Sequence, residues 1–126
     1  MESEEHIETI QKLATQLASL HTELLVLVKK SPNDLLNKFK LKLVNAILTE
    51  ANGALPQDYH PFADFEAFEE DEAPTCSDVN MVVDQYLQQL RRFHDDQVST
   101  SGGGFKYLIN GVSSSVSVPW KYRSWK

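Results

Sequence analysis

The sequence predicts a mainly α-helical single domain: a three-helix bundle, made of a long antiparallel helical hairpin plus a third helix, with a small C-terminal β-hairpin. Three observations predict it. Apolar residues recur at helical spacing in three long segments. A short proline-containing joint separates the first two segments, and Asn110-Gly111 joins two runs of β-prone residues. A chain of 126 residues can bury one core without a metal or a disulfide.

The first helix is predicted from about Glu4 to Lys30. Its apolar residues alternate in steps of three and four, which is a heptad stripe formed by Ile10, Leu13, Leu17, Leu20, Leu24 and Leu27. Acids in the first turns and Lys29-Lys30 in the last turn suit the helix dipole. The stripe is short, so the seam of a bundle is favoured over a free coiled coil.

The second helix is predicted from Pro32 to about Asn52, with Ser31 as its cap and Gly53 as its stop. Its main apolar face is expected to be Leu36, Phe39, Leu43 and Ile47. A second apolar face, formed by Leu41, Val44, Leu48 and Ala51, indicates coverage on two sides. The short joint predicts an antiparallel hairpin with a core of Leu17, Leu20, Leu24, Phe39, Leu43 and Ile47.

Residues 54–75 have no sustained periodicity. They contain three phenylalanines spaced three apart, Phe62, Phe65 and Phe68, which one or two helical turns would point the same way. Six of the nine residues from Asp64 to Glu72 are acidic. A capping-box pattern from Thr75 to Asp78 then starts a third helix, predicted to end near Gln97.

The C-terminal part is predicted as a flexible linker, residues 99–104, followed by a β-hairpin and a basic aromatic tail, residues 105–126; residues 1–98 form the helical bundle domain. A two-residue turn at Asn110-Gly111 would pair Ile109 with Val112, Tyr107 with Ser114, and Phe105 with Val116. An isolated two-stranded hairpin is marginal in water. We therefore expect it to lie on the helices or to cross to a second copy of the chain.

Charge is distributed unevenly. Residues 1–56 carry seven acids and six bases, residues 57–104 carry eleven acids and two bases, and residues 105–126 carry four bases and no acid. The single cysteine, Cys76, excludes an internal disulfide. No signal-peptide pattern or membrane-length apolar run is visible, so a cytoplasmic protein without membrane contact is expected.

No residue pattern that catalysis or metal binding requires is evident. The four histidines are not paired at helical spacing, and none is close to Cys76 in the sequence. His94-Asp95 resembles a fragment of a metal-dependent phosphohydrolase signature, but the further ligands are missing. Gly102-Gly103-Gly104 is not followed by the lysine of a phosphate loop. The sequence predicts no enzyme activity, no cofactor and no metal.

Two functions are consistent with these features. The first is a non-enzymatic protein-interaction module, a small adaptor or assembly subunit that is homodimeric. The alternative is a nucleic-acid-related protein, in which the tail binds single strands or the acidic middle mimics DNA and inhibits a binding protein. The candidate partner-binding residues are aromatic, apolar or basic: Phe62, Phe65, Phe68, Phe105, Tyr107, Ile109, Trp120, Tyr122, Arg123 and Trp125.

Overall fold

The computed structural model describes residues 1–100 and 103–123. Three α-helices come first, α1 (Glu4–Lys30), α2 (Lys38–Ala54) and α3 (Cys76–Asp96). A three-stranded antiparallel sheet follows, with strands β1 (Val98–Ser99), β2 (Lys106–Ile109) and β3 (Val112–Ser117) in that order. Short 3₁₀ turns lie at Gln57–Tyr59, Glu70–Glu72 and Trp120–Tyr122. The predicted fold class, a helical bundle with a small C-terminal β element, is confirmed.

Helix α1 runs antiparallel to both other helices. At its N-terminal end, the His6 ring nitrogen Nε2 lies 2.8 Å from the carbonyl oxygen of Ala54, and the His6 ring lies 5.7 Å from that of Phe93. Further along, His21 contacts Asn80 near the start of α3. Since α2 and α3 both end beside the start of α1, they run parallel to each other. Their connection therefore returns along the whole bundle.

Helix α2 begins at Lys38, later than the predicted Pro32. Asn37 is its N-cap, and the Asn37 side chain accepts a hydrogen bond from the Lys40 amide. The preceding segment serves α3 instead, because the carbonyl groups of Pro32 and Asp34 accept hydrogen bonds from the first amides of that helix. Free N–H groups at a helix start need such acceptors. The start of α3 is thus fixed partly by the residues before α2.

The predicted core face of α2 is wrong for Phe39 and Leu43. These side chains are 72% and 51% exposed, and Ile47 is only half-buried. The face predicted as secondary forms the core instead, through Leu41, Val44, Leu48 and Ala51. Both stripes consist entirely of apolar residues, and the one with the larger side chains is the one that faces outward, so hydrophobicity alone does not identify the core face. The later start of the helix and the position of α1 determine which stripe turns inward.

Residues 55–75 form a segment that we call the strap, which follows the groove between α2 and α3. The Asn45 side-chain amide of α2 exchanges two hydrogen bonds with the backbone of Phe68, each 2.9 Å long. Two turns later, Asn52 donates to the Glu66 carbonyl and accepts from the Tyr86 hydroxyl of α3. Residues seven apart lie on one side of a helix. Asn45 and Asn52 therefore hold the strap at two points.

The sheet contains one strand more than the predicted hairpin, because Val98–Ser99 pairs with β2 directly after α3. The turn at Asn110-Gly111 has positive φ at both residues, as a two-residue hairpin turn requires. The predicted pairing of Ile109 with Val112 is correct, but a bulge shifts the register beyond it. The Ser114 hydroxyl donates to the carbonyl of Tyr107 within this bulge. Phe105 consequently pairs with Val118 and not with Val116.

Candidate functional site

One side of α2 leaves large apolar side chains uncovered. Phe39 and Leu43 are strongly exposed and lie one helical turn apart, and Leu35, in the extended segment before the helix, is 60% exposed. Ala46 and Gly53 continue the same side of the helix and are also exposed. Apolar residues scattered singly on a surface need no explanation, but apolar residues at helical spacing form a continuous exposed stripe. We call these five residues the outer face.

A cleft of about 590 Å³ opens at the C-terminal end of the outer face. Its walls come from the start of α1 and the end of α2, and Gly53 contributes to its floor. The side chains of Glu2, Glu5 and Glu50 line it, and the cleft contains no lysine or arginine. This end of the outer face is therefore acidic. The opposite end carries Lys38, Lys40 and Lys42, with no acid in the first turn of α2.

The three phenylalanines of the strap lie together, as the spacing predicted. The ring centroids of Phe62 and Phe65 are 6.0 Å apart, those of Phe65 and Phe68 are 5.1 Å apart, and Phe65 also meets Tyr86. All three are half-buried against the chain's own core. In this structure they anchor the strap. The acids around them, from Asp64 to Glu72, are exposed and form no ion pair within residues 1–100 and 103–123.

Tyr107 is the residue that fastens the sheet to the helices. Its side chain is fully buried, and its hydroxyl lies 2.8 Å from Nε2 of the buried His94 on α3. The Gln11 side chain of α1 donates to the same hydroxyl at 3.1 Å. The two other candidate residues of this strand region are less buried than Tyr107: Ile109 is half-buried and Phe105 lies at the surface. Tyr107 thus joins α1, α3 and the sheet.

His94 lies at the centre of this polar contact. Burial lowers the pKa of the His94 ring, and the nearby Asp95 carboxylate offsets part of that shift. The contact between Nδ1 and Asp95, 3.3 Å long, favours a proton on Nδ1, which leaves Nε2 to accept from Tyr107. Burial also raises the pKa of Tyr107, and the hydrogen bond from Gln11 opposes it. Both ring nitrogens therefore have partners inside the protein, and the ring links α3 to the sheet.

The basic aromatic tail is divided between the interior and the surface. Tyr122 is buried, and its hydroxyl lies 3.2 Å from that of Thr15 on α1. Arg123 stacks over Phe105 and donates to the carbonyl of Val118, whereas Trp120 is 80% exposed. Trp125 lies outside the described residues. Of the described tail aromatics, Trp120 alone presents most of its surface to solvent.

Other kinds of site find no support in the described part of the chain. Residues 1–100 and 103–123 contain no group of three or more histidine, cysteine or acidic side chains positioned to hold a metal ion. None of the helices described there combines the length and apolar character needed to cross a membrane. The single cysteine, Cys76, is buried at the first position of α3.

Sequence reasoning missed the outer face, since it assigned Phe39 and Leu43 to the core and interpreted Gly53 as a helix stop. One signal was available. Two apolar stripes on one helix of a small bundle exceed what the neighbouring helices can cover, and the side of the helix that carries Phe39 and Leu43 ends in a glycine, Gly53. The glycine is helical here, because α2 continues to Ala54.

Comparison of this chain with protein-family models, with curated proteins and with solved structures finds no match, so the geometry of its own residues is the basis for any functional argument.

Proposed function

We propose that this chain is a non-enzymatic protein-interaction module, a small adaptor or assembly subunit that works as a homodimer. The observation that carries the proposal is the exposure of Phe39 and Leu43 in one stripe along α2. A large aromatic side chain on a flat helix surface gains free energy when a partner covers it, about 1.5–3 kcal/mol on complete burial. Large apolar residues of this kind are concentrated at the centres of protein interfaces.

Charge on the outer face supports a second copy as the partner. The lysines at one end of α2 and the acids at the other give each copy two charged regions of opposite sign. A two-fold symmetric contact uses the same patch on both subunits, so the patch must complement itself. A patch with one basic end and one acidic end meets that requirement when the two copies face in opposite directions.

Sedimentation equilibrium on the full chain tests this proposal. We expect a mass approaching twice the 14.3 kDa of one chain at tens of micromolar protein. Phe39→Ser should shift the chain towards the monomer. Met81→Ser is the matched control. It also replaces a large exposed apolar side chain by serine, but on α3, where Met81 is 58% exposed. A wild-type chain that stays monomeric at several hundred micromolar would exclude the homodimer.

The nucleic-acid alternative stays a prediction with less support. Stacking of bases requires exposed aromatic rings. Tyr122 is turned into the protein and Arg123 is occupied by Phe105 and Val118, which leaves Trp120 as the exposed aromatic of the described tail. Two results together would favour this alternative. The Phe39→Ser variant would keep its fold, and the chain would bind a labelled oligonucleotide in a salt-sensitive way that Trp120→Ala abolishes.

A further inference from the structure

We infer that two copies of the chain pair through antiparallel α2 helices centred on Ala46, with Phe39 of each copy entering the Gly53 cleft of the other. This inference rests on the proposed homodimer and specifies its contact. The contact is formed by five positions of α2, the helical residues of the outer face together with Glu50. Positions 39, 43, 46, 50 and 53 alternate in steps of four and three, which places them on one side of the helix. From residue 39 to residue 53 the stripe measures about 21 Å.

The residues of this stripe change in size along the helix. Phe39 and Leu43 are large and lie in the first half, whereas Ala46 and Gly53 are small and lie in the second half. If two such helices pack antiparallel about Ala46, position 39 of one copy faces position 53 of the other. Large residues then meet small ones at both ends, and the central alanines allow the backbones to approach closely.

The same register also matches the charges. Positions 42 and 50 are equally distant from Ala46, so Lys42 of each copy faces Glu50 of the other. Both side chains are exposed, and the present partner of Glu50 is a weak one, since its carboxylate lies 4.0 Å from the Lys12 ammonium. Beyond this pair, Lys38 and Lys40 approach the acidic cleft lined by Glu2 and Glu5. A parallel arrangement would instead place like charges together.

Gly53 provides an independent observation. It lies inside α2 with a helical backbone, where glycine costs about 1 kcal/mol relative to alanine. A Cβ atom built at Gly53 meets nothing within 4 Å, so no neighbour in the same chain requires a glycine. The absence of a side chain instead keeps the cleft open from outside. The cleft, with a volume of about 590 Å³, is larger than a phenylalanine side chain.

A charge exchange tests the register. Lys42→Glu alone should weaken dimerisation about tenfold, because two attractive pairs become repulsive, and Glu50→Lys alone should act in the same direction. The double variant K42E/E50K should recover most of the wild-type affinity. Lys121→Glu makes the same charge change in the tail and should leave the affinity unchanged. Sedimentation equilibrium on the full chain measures all four variants against the wild type.

Two substitutions test the geometry without disturbing the fold. Gly53→Leu should fill the cleft and abolish the dimer. The melting temperature of this variant at low protein concentration should stay equal or rise, since leucine favours the helix and a Cβ at this position meets no atom within 4 Å. Ala46→Cys should form a disulfide between copies under mild oxidation, because the two-fold axis brings this position close to its equivalent. Thr49→Cys, exposed on another side of α2, is its control.

These experiments separate the two proposals. A monomeric wild-type chain would overturn both. If the wild type is a stable dimer and neither Lys42→Glu nor Gly53→Leu changes its dimerisation affinity, the homodimer stands and the antiparallel α2 contact is overturned. Recovery of affinity by the double variant, together with cross-linking of the Ala46→Cys variant but not of the Thr49→Cys variant, would establish the contact as described.

Discussion

Helices α2 and α3 differ in how completely the chain covers them. Nine residues of α3 are buried, including the polar His94, and its start is secured by a capping box at Thr75 and Asp78. Only four residues of α2 are buried, and a second apolar stripe faces solvent. The reason is position: α3 packs against α1, α2, the strap and the sheet, whereas α2 packs against α1, the strap and a short part of α3. Helix α2 thus has apolar residues on two sides, and the rest of the described chain covers only one of them.

The largest expected effect is a difference in the free energy of unfolding between truncating a buried leucine of α3 and truncating an exposed leucine of α2. Leu90→Ala on α3 should lower the free energy of unfolding by about 2–5 kcal/mol, because the leucine is fully buried and its removal leaves a cavity. Leu43→Ala on the outer face should cost less than about 1 kcal/mol when measured at concentrations where the chain is monomeric. Urea denaturation followed by the helical circular dichroism signal measures both. Equal losses would contradict the described difference between the two helices.

A smaller effect is expected where the strap joins the two helices. Asn45→Ala removes the amide that pairs with both the N–H and the carbonyl group of Phe68, and should cost about 1–3 kcal/mol. The strap should then become a site of limited proteolysis. Asn33→Ala, at an exposed position in the joint before α2, is the control. Unchanged stability and unchanged cleavage would mean that the phenylalanines alone hold the strap.

The smallest effect is a pH dependence that belongs to α3. Burial lowers the pKa of His94 below its ordinary value of 6.5, so the folded protein takes up this proton at lower pH than the unfolded chain does. The contribution of His94 to stability is therefore complete above about pH 6.5 and is lost as the pH falls from there towards the folded pKa. Among residues 1–100 and 103–123, Asp95, Tyr107 and Tyr122 contact the ring.

Thermal melting of the wild type and of His94→Gln between about pH 7.5 and pH 5 measures this contribution. The variant should be less stable at neutral pH, and its melting temperature should fall less steeply with acidification. Parallel pH profiles for the two proteins would indicate that other groups dominate the acid response.

The sequence predicted the elements well where local chemistry determines them. The heptad stripe of α1, the capping box at Thr75 and the Asn110-Gly111 turn each act within a few residues, and all three are present. It was wrong about features that depend on distant contacts. The choice between the two apolar stripes of α2 depends on where α1 lies, and the start of α2 depends on hydrogen bonds to residues 76 and 77.

The candidate site could be predicted less well than the fold, and for a related reason. Aromatic residues were taken as markers of partner contacts, but Tyr107 and Tyr122 are held by Gln11 and Thr15 on a helix that is remote in the sequence. The division into a bundle, a linker at residues 99–104 and a hairpin unit stays a prediction, although Ser99 belongs to the sheet. Exposure of the outer face becomes visible only when the positions of all neighbouring elements are known.

The parallel course of α2 and α3 has a consequence for how the chain folds. A third helix in a simple up-and-down bundle can follow its neighbour through a short loop, but here the strap must travel the length of the bundle before α3 begins. The closest partners of α3 on α1, such as His6 for Phe93 and His21 for Asn80, are therefore far away in sequence. Folding rate falls as the separation of contacting residues grows. We expect the α1–α2 hairpin to form early and α3 to dock late, so that this small helical protein folds more slowly than its helix content suggests.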